Sequence, residues 1–236
     1  MNQNKQVSVE NLELITYEKA LAYQKKLFQE NIDTKLNNRK NNLHLPTKNH
    51  LLFCEHSHVY TLGRSGDKNN LLINESFLKE KGASYFETGR GGDITYHGPG
   101  QIVGYPIFDL DNFFTDIHKY LRLLEEAIIL TCQDYNLDAG RIDGLTGVWI
   151  DPESNVPRKI CAMGVKASRW VTMHGFAMNI HTNLDYFNYI VPCGIQDKAV
   201  TSLSKELHRD IKVKDVLPII LNHLKHLFDF RISSSH

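Results

Sequence analysis

Cys193 stands in the run Ile190-Val191-Pro192-Cys193-Gly194-Ile195, where a proline fixes the backbone before the thiol and a glycine leaves room for a ligand after it. That setting suits an exposed nucleophile whose thiolate attacks a carbonyl carbon, and an inert thiol in a turn is the other reading of the same residues. A free cysteine has a pKa of about 8.5, so a nucleophilic one needs a cation nearby to hold the thiolate at neutral pH. Lys159 opens the apolar run Lys159-Ile160-Cys161-Ala162-Met163-Gly164. A lysine there is either a solvated strand end or an ammonium held for chemistry. Beside Cys193 it would stabilise the thiolate, and partly desolvated it would release its proton readily enough to act as a base. His97 and His174 compete for that role, because histidine is the usual partner of a catalytic cysteine, and the residue pattern alone leaves the three bases open.

Residues 90–101 read Arg-Gly-Gly-Asp-Ile-Thr-Tyr-His-Gly-Pro-Gly-Gln and run directly into an apolar segment. Arg90, Asp93, Thr95, His97 and Gln101 supply donors and acceptors, while the glycines allow positive φ or bring bare backbone against a small ligand. A turn explains glycines with polar neighbours more simply, but the density here exceeds what a turn needs. Gly175, after His174, again leaves backbone open to a ligand.

These groups need a scaffold, and 236 residues, 42% of them hydrophobic, are enough to fill a core. Lys+Arg and Asp+Glu are equal at 27 each, so no global field draws the chain to nucleic acid or to an anionic membrane. The polar start lacks a signal-peptide core, and no run approaches the roughly 18 apolar residues of a membrane span, so a cytoplasmic protein is expected. Cys54, Cys132, Cys161 and Cys193 form no CxxC pair, which argues against a zinc knuckle or a disulfide framework. Glu55-His56-Ser57-His58 has a ligand-like look, but nothing at matching spacing completes a four-ligand set, and a polar strand end without metal is expected.

Periodicity supplies the elements. After a flexible leader over 1–9, a short strand is expected at 12–15, a helix at 17–31 and a basic, Asn-rich turn at 37–42. Strands follow at 51–54 and 59–62, a short helix at 75–81 and a strand at 85–88 leading into the glycine loop. A further strand at 102–110 is read as interrupted by Gly104 and Pro106. The apolar stripe at 117–135 predicts a helix with Cys132 in the core. Strands at 147–150, 159–166 and 171–180, a hairpin loop at 151–158 and a final helix at 213–228 complete the chain. Helices and strands mix without a βαβ rhythm, which predicts an α+β fold with a mixed, largely antiparallel sheet in one catalytic domain over 10–230.

The glycine loop at 90–101, Lys-Ile-Cys-Ala-Met-Gly at 159–164, His-Gly-Phe-Ala-Met-Asn at 174–179 and Pro-Cys-Gly at 192–194 together resemble the lipoyl(octanoyl) transferases of lipoate biosynthesis. Val-Tyr-Thr-Leu-Gly-Arg at 59–64 and Val-Thr-Ser-Leu at 200–203 extend the resemblance, while Ser57-His58 departs from the Pro-Pro that many members carry. The resemblance implies a catalytic domain like that of the biotin/lipoate protein ligases. It implies that Cys193 carries the acyl thioester and Lys159 is its partner. It also implies that Arg90, Gly91, Gly92, Asp93, Ile94, Thr95, Tyr96, His97, Ala162, Met163, Gly164, Gly175, Phe176 and Ala177 line the acyl pocket.

Implied with these are octanoyl-acyl carrier protein as donor and lipoyl domains of 2-oxoacid dehydrogenase subunits and glycine-cleavage H protein as acceptors, with no cofactor. Tyr96, Met163, Phe176 and Met178 are candidates for the tunnel walls, with ordinary core packing as the other reading. An ATP-dependent lipoate or biotin ligase is the nearest alternative; such an enzyme would not need Cys193, and the biotin enzymes' Gly-Arg-Gly-Arg loop is absent. An inactive acyl-binding protein is the other.

Overall fold

The computed structural model describes residues 3–191 and 199–233; Pro192, Cys193 and Gly194 lie outside the described residues. β1 (Gln6–Ile15) starts earlier than the polar start of the chain suggests, so residues 6–9, expected in a flexible leader, are strand. A strand needs only alternate apolar positions, and Val7 and Val9 supply them on the core side. The helix α1 (Tyr17–Asn41) buries Tyr17, Ala20, Gln24, Leu27, Phe28 and Ile32 at helical spacing, then continues through the Asn-rich segment expected to be a turn. Polar tertiary contacts carry that extension. Lys35 pairs with Asp111 at 2.6 Å and with Asp109, Asn38 exchanges hydrogen bonds of 2.8 and 3.0 Å with the backbone of Leu45, and Asn42 closes the helix in the left-handed region.

Among the described residues the strands form two sheets. In the larger, β12 (Arg231–Ile232) is followed by β1, β2 (Asn49–His56), β6 (Gln101–Ile107), β10 (Val171–Asn179), β9 (Arg158–Ser168), β8 (Val148–Ile150) and β7 (Ala139–Gly140), with β11 (Ala199–Val200) also paired to β9. The run from β2 to β7 is antiparallel throughout, while β1 pairs in parallel with β2 and β12, and β11 in parallel with β9. The smaller sheet sets β3 (Val59–Leu62) between β4 (Ser84–Glu87) and β5 (Thr95–His97).

β6 is buried along its whole length and is not broken by Gly104 or Pro106. β10 pairs with it only from Gly104 back to Gln101, so Pro106 meets a ladder on the β2 side alone and has an unpaired side that can take a nitrogen with no N–H. α3 (Ile117–Asp134) and, after the short α4 (Leu203–Leu207), α5 (Val213–Phe228) pack on one core of the large sheet, with Leu124, Ile128 and Cys132 against Ile220 and Leu224, as the stripes predict. α1 builds the second core with Leu52, Val103, Tyr105 and Ala177. The small sheet has its own cluster, in which Leu78 from α2 (Glu75–Glu80) meets Tyr60, Leu62 and Tyr96. Among the described residues no helix is long and apolar enough to cross a membrane.

Candidate active site

A cavity of about 260 Å³ is walled by β6, β9 and β10 of the large sheet and by β5 and the glycine loop of the small one. Its size is near the lower end of small-ligand pockets. Tyr17 at the start of α1, residues 144–146, Trp149 and Phe187 close the remaining sides.

Lys159 reaches this cavity because β9 is irregular. Val148 and Trp149 are adjacent on β8, yet they face Cys161 and Lys159, so Ile160 is an extra residue on β9. Such a bulge re-aims the side chains on either side of it. Ile160 and Cys161 are both fully buried in the core, while Lys159 lines the cavity with Nζ 4.5 Å from the centre of the Trp149 ring. A cation over an indole face is attracted by the ring's quadrupole, so Trp149 helps hold the ammonium in place. β11 fixes the backbone: Val200 is in register with Lys159, and the Thr201 N–H donates to the Lys159 carbonyl at 3.0 Å.

The glycine loop is pinned from two sides. Arg64 N–H donates to the Arg90 carbonyl at 2.8 Å, and Gly91 N–H donates to the Val165 carbonyl at 2.9 Å. At Gly164 a Cβ would stand 2.6 Å from the Gly91 carbonyl oxygen, so glycine is needed there for one chain to pass the other. The glycine density therefore serves backbone packing as well as any ligand. Arg90 is buried and clamps β3, donating to the Thr61 hydroxyl at 2.9 Å and to the Thr61 carbonyl at 2.5 Å. Asp93 accepts from Asn70 Nδ2 at 2.7 Å.

Burial, reinforced by His56 nearby, pushes the His97 imidazole down to about 3 despite its contact with Gln101. Burial and then the Arg90 charge bring His174 to about 3 as well. His174 also takes a positive φ of 61°, and its N–H is held by Gln24 Oε1 at 3.0 Å. Burial raises the Tyr17 phenol to about 12. At neutral pH the wall around Arg90 is thus built of uncharged imidazoles and phenols.

Of the residues read as pocket-lining, Arg90, Gly92, Asp93, Ile94, Thr95 and His97 reach the cavity, as do Ala162, Met163, Gly164, Gly175, Phe176 and Ala177. Gly91 is placed beside the cavity wall, bonded to Val165. Tyr96 packs in the small-sheet cluster, and its hydroxyl meets His58 Nδ1 at 2.7 Å. Met178 packs in the main core. Cys193 lies outside the described residues, but both flanks of its segment are anchored. Val191 N–H donates to the Asn70 carbonyl at 2.8 Å, and Ala199 and Val200 line the cavity beside Lys159.

Sequence reasoning missed Tyr17, Val103, Tyr105, Leu145, Thr146, Trp149 and Phe187 as lining residues. Tyr17, Val103, Tyr105 and Trp149 sit in helix or strand patterns that read as ordinary core, Leu145, Thr146 and Phe187 fall between the expected elements, and only Gly147 near Trp149 hinted at a close approach. Both ring nitrogens of the fully buried His56 are engaged, Nε2 2.7 Å from the Tyr105 hydroxyl and Nδ1 2.8 Å from the Ile15 carbonyl. Among the described residues no group of histidine, cysteine and carboxylate side chains is arranged to hold a metal ion.

The fold is one shared with solved lipoate protein ligases. The bipartite lipoate protein ligase of Thermoplasma acidophilum matches this fold with a TM-score of 0.71 at 16% identity, over 98% of this chain and 87% of that one. The model of the lipoyl protein ligase A/B catalytic domain matches residues 16–225, and the chain belongs to that family. The octanoyltransferase of Cytophaga hutchinsonii is 59% identical over 99% of this chain and 97% of its own length. That of Christiangramia forsetii is 58% identical over 95% and 97%.

Proposed function

We propose that this chain moves an octanoyl group from octanoyl-acyl carrier protein to the target lysine of a lipoyl domain, through a thioester on Cys193 with Lys159 as its proton partner. Octanoyl transfer is the activity for which its relatives are named. The observation that carries the dyad is the placement of Lys159 inside the cavity, held over Trp149 and beside the strand that leaves the Cys193 segment.

In this reading the Lys159 ammonium stabilises the Cys193 thiolate, which attacks the octanoyl thioester carbonyl. The carbonyl collapses back, the carrier's thiol leaves with a proton from Lys159, and an octanoyl-Cys193 thioester remains. The amine of the acceptor lysine then attacks that thioester and passes its extra proton to Lys159, while the Cys193 thiolate is released. An amide replaces a thioester, a downhill exchange that needs no ATP. Ile94, Val103, Met163 and Phe176 offer the acyl chain apolar wall, and each buried methylene contributes about 0.8 kcal/mol to its retention. The acceptors in this reading are lipoyl domains of 2-oxoacid dehydrogenase subunits and glycine-cleavage H protein, met in the cytoplasm.

Intact mass measurement after mixing with octanoyl-acyl carrier protein, without ATP, tests the reading. An octanoyl increment is expected on the wild type and none on Cys193→Ala; a folded wild type that gains no octanoyl group overturns it. Lys159→Ala is expected to slow acylation by about 10²-fold or more. Thiol alkylation rates with the same pH profile in both proteins would remove Lys159 from the dyad.

A further inference from the structure

Three of the sequence runs noted above hold polar residues that chemistry at the dyad does not use: Gln101 closes the glycine loop, Asn179 closes β10, and Thr201 follows β11. The fold joins them. Gln101 Nε2 donates to Asn179 Oδ1 at 2.8 Å, Asn179 Nδ2 donates to the Thr201 carbonyl at 2.9 Å, and the Thr201 N–H donates to the Lys159 carbonyl at 3.0 Å. In the other direction Gln101 Oε1 meets His97 Nδ1 at 2.8 Å. Gln101, Asn179, Thr201 and His97 are all buried.

The orientations are set by the backbone. Gln101 Nε2 faces the Tyr96 carbonyl at 3.3 Å and Asn179 Nδ2 faces that of Thr201, and a carbonyl only accepts. Gln101 Oε1 is therefore the acceptor toward His97, whose proton must sit on Nδ1. His97 Nε2 is left as an acceptor, 3.4 Å from the Thr61 hydroxyl that Arg90 clamps. One directional chain of hydrogen bonds thus runs from the glycine loop to the backbone of Lys159. A buried chain with each link made is rigid, and breaking one link strands its neighbours.

We propose that Gln101 and Asn179 are positioning residues for acyl transfer, fixing the Lys159 strand and the chain leaving the Cys193 segment in register with the His97 side of the cavity. The proposal rests on the dyad reading above. Neither amide need touch the reacting atoms; Asn179 holds Thr201, whose N–H is tied to Lys159, and Gln101 holds Asn179. A misplacement of 1 Å at a reacting group can cost about 10²-fold in rate.

The test measures octanoyl transfer in Gln101→Leu, Asn179→Ala, the double variant, and the near-isosteric Gln101→Glu and Asn179→Asp, together with melting temperature. Each single variant is expected to lower kcat by about 10- to 100-fold, with KM for the acyl donor changed less than about threefold. The double variant is expected to be little worse than the worse single one, since the chain is already broken. The pH at which Cys193 alkylation is half-maximal is expected to move in Asn179→Ala and to move less in Gln101→Glu, which keeps the acceptor for His97. Unchanged kcat in folded variants, or a loss confined to KM, overturns the proposal. Should the larger replacements fail to fold, the near-isosteric pair decides by the same readouts. Cys193→Ala and Lys159→Ala are run in parallel: if both keep full transfer, the dyad reading fails, whereas their inactivity beside fully active amide variants refutes the positioning role alone.

Discussion

Three imidazoles in and behind the cavity are kept neutral by burial: His97 and His174 at about 3, and His56 at about 4. A neutral imidazole holds no charge beside a thiolate, which supports Lys159 over His97 and His174 as the partner in the proposed dyad. The same burial has a stability consequence. In the unfolded chain these groups titrate near the ordinary 6.5, so below that pH the unfolded state takes up protons that the folded state refuses. Their contribution is complete above about pH 6.5 and is lost as pH falls toward 4 and 3. Urea midpoints are expected to drop between pH 7 and pH 4.5, less steeply in His56→Gln, and a flat profile would contradict the burial of these rings. Gly104 supplies a second prediction at this scale. A Cβ there would stand 2.3 Å from the Phe176 ring, so Gly104→Ala is expected to cost about 1–3 kcal/mol in denaturant unfolding and to raise KM by pushing the ring into the cavity. The polar and glycine-rich residues of the site were legible because their types are unusual. Tyr17 and Trp149 were not, since an aromatic at a core-like position carries no mark of the cavity it will face.

At the scale of elements, the β9 bulge decides which face Lys159 takes, and α3 holds the neighbouring wall. Glu125 on α3 is fully buried, accepts the Gly147 N–H at 3.0 Å and pairs with Arg141 and Arg122 at 2.9 Å each. It thereby ties down the end of the segment whose residues 144–146 line the cavity. Glu125→Ala would leave that N–H without its acceptor while Arg141 keeps Glu126 at 2.7 Å, and a loss of about 1–3 kcal/mol is expected in chemical denaturation. Glu125→Gln keeps an acceptor and should lose less; equal stability of all three proteins would deny the carboxylate its anchoring role. Helices α3 and α5 were legible almost to the residue, because their apolar stripes face one core. The end of α1 was not, because its last turns rest on Lys35 and Asn38 meeting residues distant in sequence or in the following loop. Nor was the bulge, since Ile160 reads as one more strand residue until β8 is laid beside it.

For the whole molecule, β2, β6, β10 and β9 form the inner part of a sheet with apolar clusters on both faces, while β12 and β7 are two-residue strands at its ends. Native-state hydrogen exchange is expected to be slowest in β6 and its neighbours, close to the global unfolding limit, and fastest at β12 and β7. Amides of β12 outlasting those of β6 would mean the core lies elsewhere. The chain by itself determined the class of the fold, the long helices and the residue types of the site, because periodicity, glycine density and a thiol between proline and glycine are local properties. Only the tertiary structure decided that Lys159 turns into the cavity, that His97 and His174 stay uncharged there, and that Gln101 and Asn179 link the glycine loop to the lysine strand. Burial, strand register and hydrogen-bond direction arise between segments far apart in the chain, and no local pattern records them.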